Sequence, residues 1–158
     1  MNKIFTFLLF CFLAMPTVTF GHYQIQAVSS FNVPAAILSD FSSRFPAATE
    51  TEWDEATTET LICNFSENDL FKQVNYQKTG EWLRTITHFT DQLIPEQIAT
   101  YLNANHSSNY VLDAYELNKK TEATRFFIEL ENGEEYLILT FNEAFELENT
   151  EQGNLEDR

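Results

Sequence analysis

One pattern of apolar residues occurs twice along this chain, and the repetition limits the fold more than any other sequence feature. The first copy begins with Val33-Pro34, Ile37 and Phe41, and the second, at the same spacing, with Ile94-Pro95, Ile98 and Leu102. Two later series also correspond: Leu61, Cys63, Phe65, Val74 and Tyr76 match Phe126, Ile128, Leu130, Leu139 and Phe141. Such a repeat predicts two copies of one supersecondary unit, each too small to cover its own apolar face.

Each copy predicts one helix followed by four strands. The first helix follows Pro34 and ends before Pro46, with a buried stripe made of Ile37, Leu38, Phe41 and Phe45. The second helix is predicted over 95–103. Alternating apolar residues and turn sequences predict strands at 49–58, 61–65, 71–76, 82–89, 110–117, 125–131, 134–141 and 144–148. The predicted fold class is α+β, with two tandem units that each pack one α-helix on a four-stranded antiparallel β-sheet.

The N-terminal segment has the features of a secretory signal peptide. Lys3 precedes an apolar run, and the small residues Thr19 and Gly21 precede a predicted cleavage before His22. The run is shorter than the roughly 20 apolar residues that span a membrane. We therefore predict a signal peptide at 1–21, a linker at 22–31, units at 32–90 and 91–148, and a frayed acidic tail at 149–158. No stable membrane anchor is expected after cleavage.

The charge of the chain restricts its partners. Nine Lys and Arg residues stand against 24 Asp and Glu residues, so the formal net charge is −15. Nucleic-acid affinity comes mainly from Lys and Arg that neutralise phosphates, so a nucleic-acid partner is not expected. A basic partner fits this charge better.

The hairpin around Asn132-Gly133 predicts the surface that binds such a partner. A two-residue loop at this Asn-Gly places Ile128 opposite Leu137 and Phe126 opposite Leu139. One face then carries Phe126, Ile128, Leu130, Leu137, Leu139 and Phe141, which we expect beneath a helix. The other carries Phe127, Glu129, Tyr136, Ile138 and Thr140. A solvated face seldom holds so many apolar groups, so Phe127, Glu129, Tyr136 and Ile138 are the predicted partner-binding surface.

Several short motifs resemble those of the PepSY-like domain family, which is also described as beta-lactamase-inhibitor-like. They are Val33-Pro34-Ala35-Ala36, Phe41, Arg44-Phe45-Pro46, Thr51-Glu52-Trp53 and Gly80-Glu81-Trp82. The resemblance covers most of residues 32–148 and implies a helix on a four-stranded sheet, twice, with the two sheets separate or joined side by side. It also implies a periplasmic or secreted protein of the bacterial envelope. It brings no catalytic residues.

The large aromatic residues of the repeat have two interpretations. Tyr115 stands in the second copy at the place of Trp53 in the first, and Trp82 follows the Gly80 turn. We expect all three side chains to close the core against the helices. The alternative is that they are exposed contact residues, because Trp and Tyr are enriched at binding hot spots.

No catalytic, cofactor-binding or metal-binding residue is predicted, and the chain is not expected to be an enzyme. His22, His88 and His106 are isolated in sequence. Cys63, the only cysteine after signal cleavage, is predicted to be a small buried hydrophobe rather than a thiolate, which needs electropositive surroundings. Spatial clustering of His88 or His106 with Ser and Asp would indicate a hydrolase.

The sequence therefore predicts an exported, non-catalytic binding module with an inhibitor-like action. Its expected partner is a protein or peptide of the cell envelope, bound through the outer face of the sheet. The alternative is an acidic calcium buffer or sensor, since Glu50, Glu52, Asp54 and Glu55 supply the carboxylate oxygens that calcium prefers.

Overall fold

The computed structural model describes residues 32–155. This part of the chain contains two helices and eight strands. The first half comprises α1 (Ala35–Arg44), β1 (Thr49–Glu55), β2 (Thr60–Glu67), β3 (Leu70–Gln77) and β4 (Trp82–His88). The second half comprises α2 (Glu96–Asn105), β5 (Tyr110–Lys119), β6 (Glu122–Glu131), β7 (Glu135–Phe141) and β8 (Leu147–Asn154). Neither helix is long and apolar enough to cross a membrane.

All eight strands form one antiparallel sheet in the order of the sequence, β1 to β8. The α+β class is confirmed. Of the two arrangements that the resemblance left open, the structure has the joined one, because the strands of both predicted units form a single eight-stranded sheet. β4 pairs with β5 from Arg84 opposite Lys119 to His88 opposite Tyr115. This pairing satisfies the backbone groups that two separate sheets would leave exposed at their edges.

Both helices pack on the same face of the sheet, which we call the helix face. Phe65 pairs with Lys72, and the same row continues through Thr87 and Glu116 to Phe126. Phe65 and Phe126 therefore point to one side, because cross-strand partners share a face. Phe65 belongs to the apolar cluster under α1 and Phe126 to the cluster under α2. The opposite side, which we call the outer face, has no helical cover within residues 32–155.

The repeated apolar residues form these two clusters. All ten residues of the two strand series are buried, from Leu61 and Tyr76 in the first cluster to Ile128 and Phe141 in the second. Ile37 and Ile98, which occupy equivalent helix positions, are both fully buried. Leu38 is an exception, since 42% of its surface is exposed, and its predicted place on the buried stripe is wrong.

The hairpin between β6 and β7 keeps the predicted faces but not the predicted register. The Asn132 N–H donates to the Glu135 carbonyl oxygen at 3.2 Å, so the turn is Gly133-Glu134, one residue later than expected. Ile128 pairs with Leu139 instead of Leu137. Because the register differs by an even number of residues, every side chain stays on its predicted face.

The end of the chain also differs from its prediction. The last strand was expected over 144–148 and a frayed tail after it, but β8 extends from Leu147 to Asn154. Its backbone pairs with β7 from Glu135 opposite Asn154 to Phe141 opposite Leu147. Residues 156–158 of the predicted tail, the predicted signal peptide at 1–21 and the predicted linker at 22–31 lie outside the described residues.

Between the two apolar clusters the helix face is polar. A cleft of about 300 Å³ lies there, lined by Arg44, Phe45, Lys72, Trp82, Thr85, Thr87, Glu116 and Asn118. Burial raises the pKa of Glu116 above its ordinary value, and the positive charge of Lys72 partly opposes this rise. The ionised Glu116 carboxylate therefore lowers the stability of the folded state.

Replacing Glu116 by glutamine is expected to stabilise the protein at pH 7. A raised folded-state pKa means that the folded chain binds the proton more tightly than the unfolded chain, so stability falls as pH rises through that pKa. The advantage of Glu116→Gln should shrink as the pH is lowered towards about 4, where the wild-type carboxyl is itself protonated. Urea unfolding followed by circular dichroism at both pH values measures this difference. A variant that is less stable than wild type at pH 7 would contradict the prediction.

Candidate functional surface

Four aromatic side chains form a continuous line across the outer face. Phe71 on β3 pairs with His88 on β4, His88 with Tyr115 on β5, and Tyr115 with Phe127 on β6. Since cross-strand partners lie side by side on one face, the four rings follow one another perpendicular to the strands. We call Phe71, His88, Tyr115 and Phe127 the aromatic row.

The rings of the aromatic row contact one another in sequence. The ring centroids are 5.7 Å apart for Phe71 and His88 and 5.8 Å apart for His88 and Tyr115. Tyr115 and Phe127 stack with centroids 5.0 Å apart and an interplanar angle of 15°. Half of the Phe71 surface is exposed, and the other three residues are partly exposed. The row is therefore a preformed apolar surface open to solvent.

The four residues of the predicted partner-binding surface all lie on the outer face. Phe127 belongs to the aromatic row, Glu129 pairs with Ile138, and Tyr136 lies on the same face of β7 as Ile138. All four are partly exposed. The structure therefore brings them together on β6 and β7, at the end of the aromatic row.

Tyr136 lies directly over the backbone of β8. It pairs with Gly153, and a Cβ atom on Gly153 would be only 2.6 Å from the Tyr136 hydroxyl oxygen and 2.7 Å from ring carbons. Any larger residue at 153 would push the ring aside. Glycine at this position therefore lets the outer face hold the tyrosine flat against the edge strand.

The structure divides the three large aromatic residues of the repeat between the two faces. Trp53 and Trp82 pack against the cluster under α1, as expected. Tyr115 does not, and its predicted core position is wrong. Trp53 pairs with Cys63, whereas the residue that pairs with the equivalent Ile128 is Ala114. Ala114 is buried, and its neighbour Tyr115 points to the outer face because successive side chains alternate.

His88 and His106, the two histidines within residues 32–155, lie beside aromatic rings. His88 Nδ1 lies 3.2 Å from Asp113 Oδ1, but the ring neighbours of His88 are Phe71 and Tyr115. The Ser66 hydroxyl, on the same sheet row, donates to the Glu50 carboxylate at 3.2 Å. His106 contacts the Tyr101 ring, with centroids 5.8 Å apart. A Ser–His pair is thus not among the described contacts of His88 or His106.

The Cys63 thiol and the acidic residues of β1 have contacts typical of structural residues. Cys63 is fully buried, and burial raises the pKa of its thiol to about 12, so the thiolate form is disfavoured. On β1, the Glu55 carboxylate accepts a hydrogen bond from Lys78 Nζ at 2.7 Å. Within residues 32–155 no group of three or more His, Cys, Asp or Glu residues has the geometry of a metal site.

Of the aromatic row, Phe127 alone was predicted from the sequence as a surface residue. Phe71 and His88 had no predicted binding role, and Tyr115 was expected in the core. Each residue comes from a different strand, and only the register between β3, β4 and β5 aligns them. The available signal was the alternation of side chains along β3. Phe71 is an odd number of residues from Val74 and Tyr76, so it lies on the face opposite to these core residues.

Solved structures from Bacteroides have the same fold as this chain. Among solved structures it is similar to a BLIP-like protein from Bacteroides fragilis, with a TM-score of 0.66, 20% identity, and coverage of 80% of this chain and 89% of that chain. A DUF2874 family protein from Bacteroides ovatus has a TM-score of 0.63 and 17% identity, and the match covers 80% of this chain and 91% of that chain. These likenesses show a shared fold.

A protein from Bacteroides eggerthii, described as one of the "putative periplasmic proteins", matches with a TM-score of 0.62 and 16% identity over 80% of this chain and 92% of that chain. No curated protein matches the sequence. The family model described as "Putative beta-lactamase-inhibitor-like, PepSY-like" matches residues 60–157, which is more than half of the chain. The protein therefore belongs to the beta-lactamase-inhibitor-like, PepSY-like family.

Proposed function

We propose that this protein is an exported, non-catalytic binding module that holds a protein or peptide partner against its outer face. It acts by occluding or sequestering the partner, without turnover. The observation that carries the proposal is the aromatic row, four adjoining rings on a sheet face that no helix of residues 32–155 covers. Aromatic side chains are enriched in interfaces, and such rings are typical hot spots.

The family and the fold support this proposal. The family is described as beta-lactamase-inhibitor-like, which fits a module that binds a protein rather than one that converts a substrate. The structural neighbour from Bacteroides eggerthii is described as periplasmic, which agrees with the predicted signal peptide and with action in the envelope. No described feature favours the calcium alternative over the binding module.

Capture of partners from an envelope extract of the source bacterium tests the proposal. The purified protein is immobilised, and captured proteins are quantified by mass spectrometry for wild type and for the double variant Phe127→Ser/Tyr136→Ser. We expect at least one protein to be captured by wild type and depleted more than about tenfold with the variant, because each lost hot-spot ring costs about 2 kcal/mol.

A matched variant removes apolar surface elsewhere. Leu38 and Leu93 are 42% and 44% exposed, and neither lies on a strand. The double variant Leu38→Ser/Leu93→Ser should capture the same partners as wild type. Retention of every wild-type partner by Phe127→Ser/Tyr136→Ser would show that the outer face is not the binding surface.

A further inference from the structure

The two edge strands of the sheet differ in the regularity of their outer edges. β1 is in regular register with β2 only from Glu52 to Glu55. β8 shifts its register before Asn149 and is regular from there to Asn154. Every residue of β8 except Gly153 is exposed, and no strand within residues 32–155 pairs with its outer edge. Such an edge is a template on which another chain can form a strand.

The outer edge of β8 presents a regular row of backbone donors and acceptors. The Leu155 N–H donates to the Glu134 carbonyl oxygen at 2.9 Å, which fixes the pattern of hydrogen bonds between β7 and β8. Because hydrogen-bonded and non-hydrogen-bonded pairs alternate, every second residue of β8 directs its N–H and C=O groups away from β7. These residues are Thr150, Gln152 and Asn154. We call their outward backbone groups the β8 edge.

The corresponding edge of β1 is less suited to pairing. The Ala56 N–H donates to the Thr60 carbonyl oxygen at 3.0 Å. By the same alternation, Trp53 and Glu55 direct their N–H groups away from β2. The Glu55 N–H, however, already donates to Asp54 Oδ1 at 2.7 Å. The β8 edge is therefore the better template for an added strand.

The β8 edge adjoins the predicted partner-binding surface. The Tyr136 ring lies over Gly153, which has no side chain, so the ring extends the outer face towards this edge. Glu151 lies on the same face and accepts a hydrogen bond from Asn149 Nδ2 at 3.1 Å. An antiparallel strand added to β8 places one residue opposite Gly153, beside the ring, and another opposite Glu151. An aliphatic residue fits the first position and a basic residue the second, because opposite charges stabilise a cross-strand pair.

The charge of the protein favours a different chain over a second copy at the β8 edge. Each copy has a formal net charge of −15, so two copies repel each other. Glu151 on β8 and Glu52 and Asp54 on β1 also place carboxylates on both edge strands. Edge-to-edge pairing of two copies brings these like charges together, which destabilises a sheet. A basic segment is attracted instead.

Resting on the proposed function, we infer that an extended, basic segment of the protein or peptide partner adds to β8 as a further antiparallel strand. Hydrogen bonds to the backbone groups of Thr150, Gln152 and Asn154 supply the affinity, and side chains on the outer face supply the specificity. The added strand enlarges the outer face beside Tyr136, so the partner contacts the sheet edge and the outer face together.

Peptide titration with NMR-detected amide hydrogen exchange tests this inference on the purified protein. The probe is the capped peptide Thr-Val-Thr-Lys-Thr-Val-Thr, whose lysine lies opposite Glu151 when its first valine lies opposite Gly153. We expect the Thr150 and Gln152 amides to exchange rapidly in the free protein and to become protected in the complex. The Glu151 and Gly153 amides bond to β7 and should exchange slowly in both states. Unchanged exchange of Thr150 and Gln152 at saturating peptide would overturn the inference.

Two changes to the peptide identify the interactions that bind it. N-methylation of its third and fifth residues removes N–H donors that face β8 and should weaken binding at least about tenfold. Exchange of its lysine for glutamate replaces an attractive cross-strand pair by a repulsive one and should weaken binding about fivefold. Equal binding of the N-methylated peptide would exclude strand addition, and equal binding of the glutamate peptide would contradict a basic partner segment.

Two variants at one position test the edge itself. Thr150→Pro removes an outward N–H and leaves the hydrogen bonds to β7, because proline is tolerated on an edge strand where its nitrogen faces solvent. It should bind the peptide at least about tenfold more weakly than wild type. Thr150→Ala keeps the N–H and should bind within about twofold of wild type. Equal loss in both variants would contradict the inference. If circular dichroism shows that Thr150→Pro is unfolded, the N-methylated peptide decides with the wild-type protein.

The captured partner separates this inference from the proposed function. If the partner is lost with Phe127→Ser/Tyr136→Ser but retained by folded Thr150→Pro, the outer face binds and strand addition is wrong. If the partner is retained by Phe127→Ser/Tyr136→Ser but lost with Thr150→Pro, the edge binds and the proposed surface is wrong. A wild-type dimer in sedimentation that Thr150→Pro abolishes would show that a second copy occupies the edge, and would overturn the assignment to a partner.

Discussion

Replacing Phe65 by alanine is expected to lower the free energy of unfolding by about 3–5 kcal/mol, the usual cost of deleting a buried phenylalanine ring. Phe65 is 1% exposed. Its ring centroid is 5.0 Å from that of Phe41 and 4.8 Å from that of Phe45, so the ring joins α1 to the sheet. Phe141 has the matching role under α2, where its ring centroid lies 5.3 Å from that of Tyr101. Phe141→Ala should cost a similar amount.

Urea unfolding measured by circular dichroism and by tryptophan fluorescence checks this prediction. Trp53 and Trp82 both pack against the cluster under α1, so fluorescence reports the first half of the chain. Because β4 and β5 pair within one sheet, both probes should show one common transition, including for Phe141→Ala. Phe71→Ala, which removes a half-exposed ring of the same size, should cost much less. A cost below about 1 kcal/mol for Phe65→Ala, or separate transitions, would contradict the prediction.

The residues of the two cores were predictable because strand and helix periods are local. A helical stripe through Ile37 and Phe41 and alternation through Leu61, Cys63 and Phe65 each depend on a few neighbouring residues. The hairpin shows the limit of such patterns. Asn132-Gly133 and Gly133-Glu134 both place a glycine in the turn, and Gly133 has a φ of +97°, so local chemistry did not decide between them. The predicted faces were still correct, because the register differs by two residues and side chains two residues apart on a strand share a face.

The position of Tyr115 was predictable in principle. The spacing that leads from Val33 to Ile94 leads from Trp53 to Ala114, so a strict repeat places the alanine in the core. The prediction matched Trp53 with Tyr115 because both are aromatic. Tyr115 is one residue beyond Ala114, and a shift of one residue on a strand moves the side chain to the other face. The small side chain of Ala114 suffices there because Phe89, Phe126 and Phe145 contribute rings to the same cluster.

The features that the sequence did not predict depend on contacts between distant segments. The pairing of β4 with β5 joins strands separated by the whole of α2, and no local pattern encodes it. β8 is polar after Leu147, and all of its residues except Gly153 are exposed, so it lacks the alternation that identifies a half-buried strand. The candidate site could be predicted only in part for the same reason. Phe127, Glu129, Tyr136 and Ile138 were predictable from one hairpin, whereas Phe71, His88 and Tyr115 needed the registers of three further strand pairs.

Removing the positive charge of Lys72 is expected to cost about 3 kcal/mol, the lower end of the range for breaking a buried ion pair. Lys72 Nζ lies 2.7 Å from Glu67 Oε2, and the two side chains are only 17% and 9% exposed. Lys72→Met leaves the Glu67 carboxylate buried without this cation. It also removes the charge that opposes the rise in the pKa of Glu116, so ionised Glu116 becomes more costly too.

A set of three variants separates the buried charge from the loss of the lysine stem. Lys72→Met/Glu67→Gln removes both charges and should recover most of the stability lost in Lys72→Met. Lys78→Met breaks the equally short pair with Glu55, whose side chains are 35% and 46% exposed, and should cost less than about 1 kcal/mol. Urea unfolding at pH 7 gives all three values. Acidification should reduce the cost of Lys72→Met, because protonation of Glu116, whose pKa burial raises, removes one of the charges that Lys72 opposes. Equal costs for Lys72→Met and Lys78→Met would show that water screens both pairs alike and would contradict the prediction.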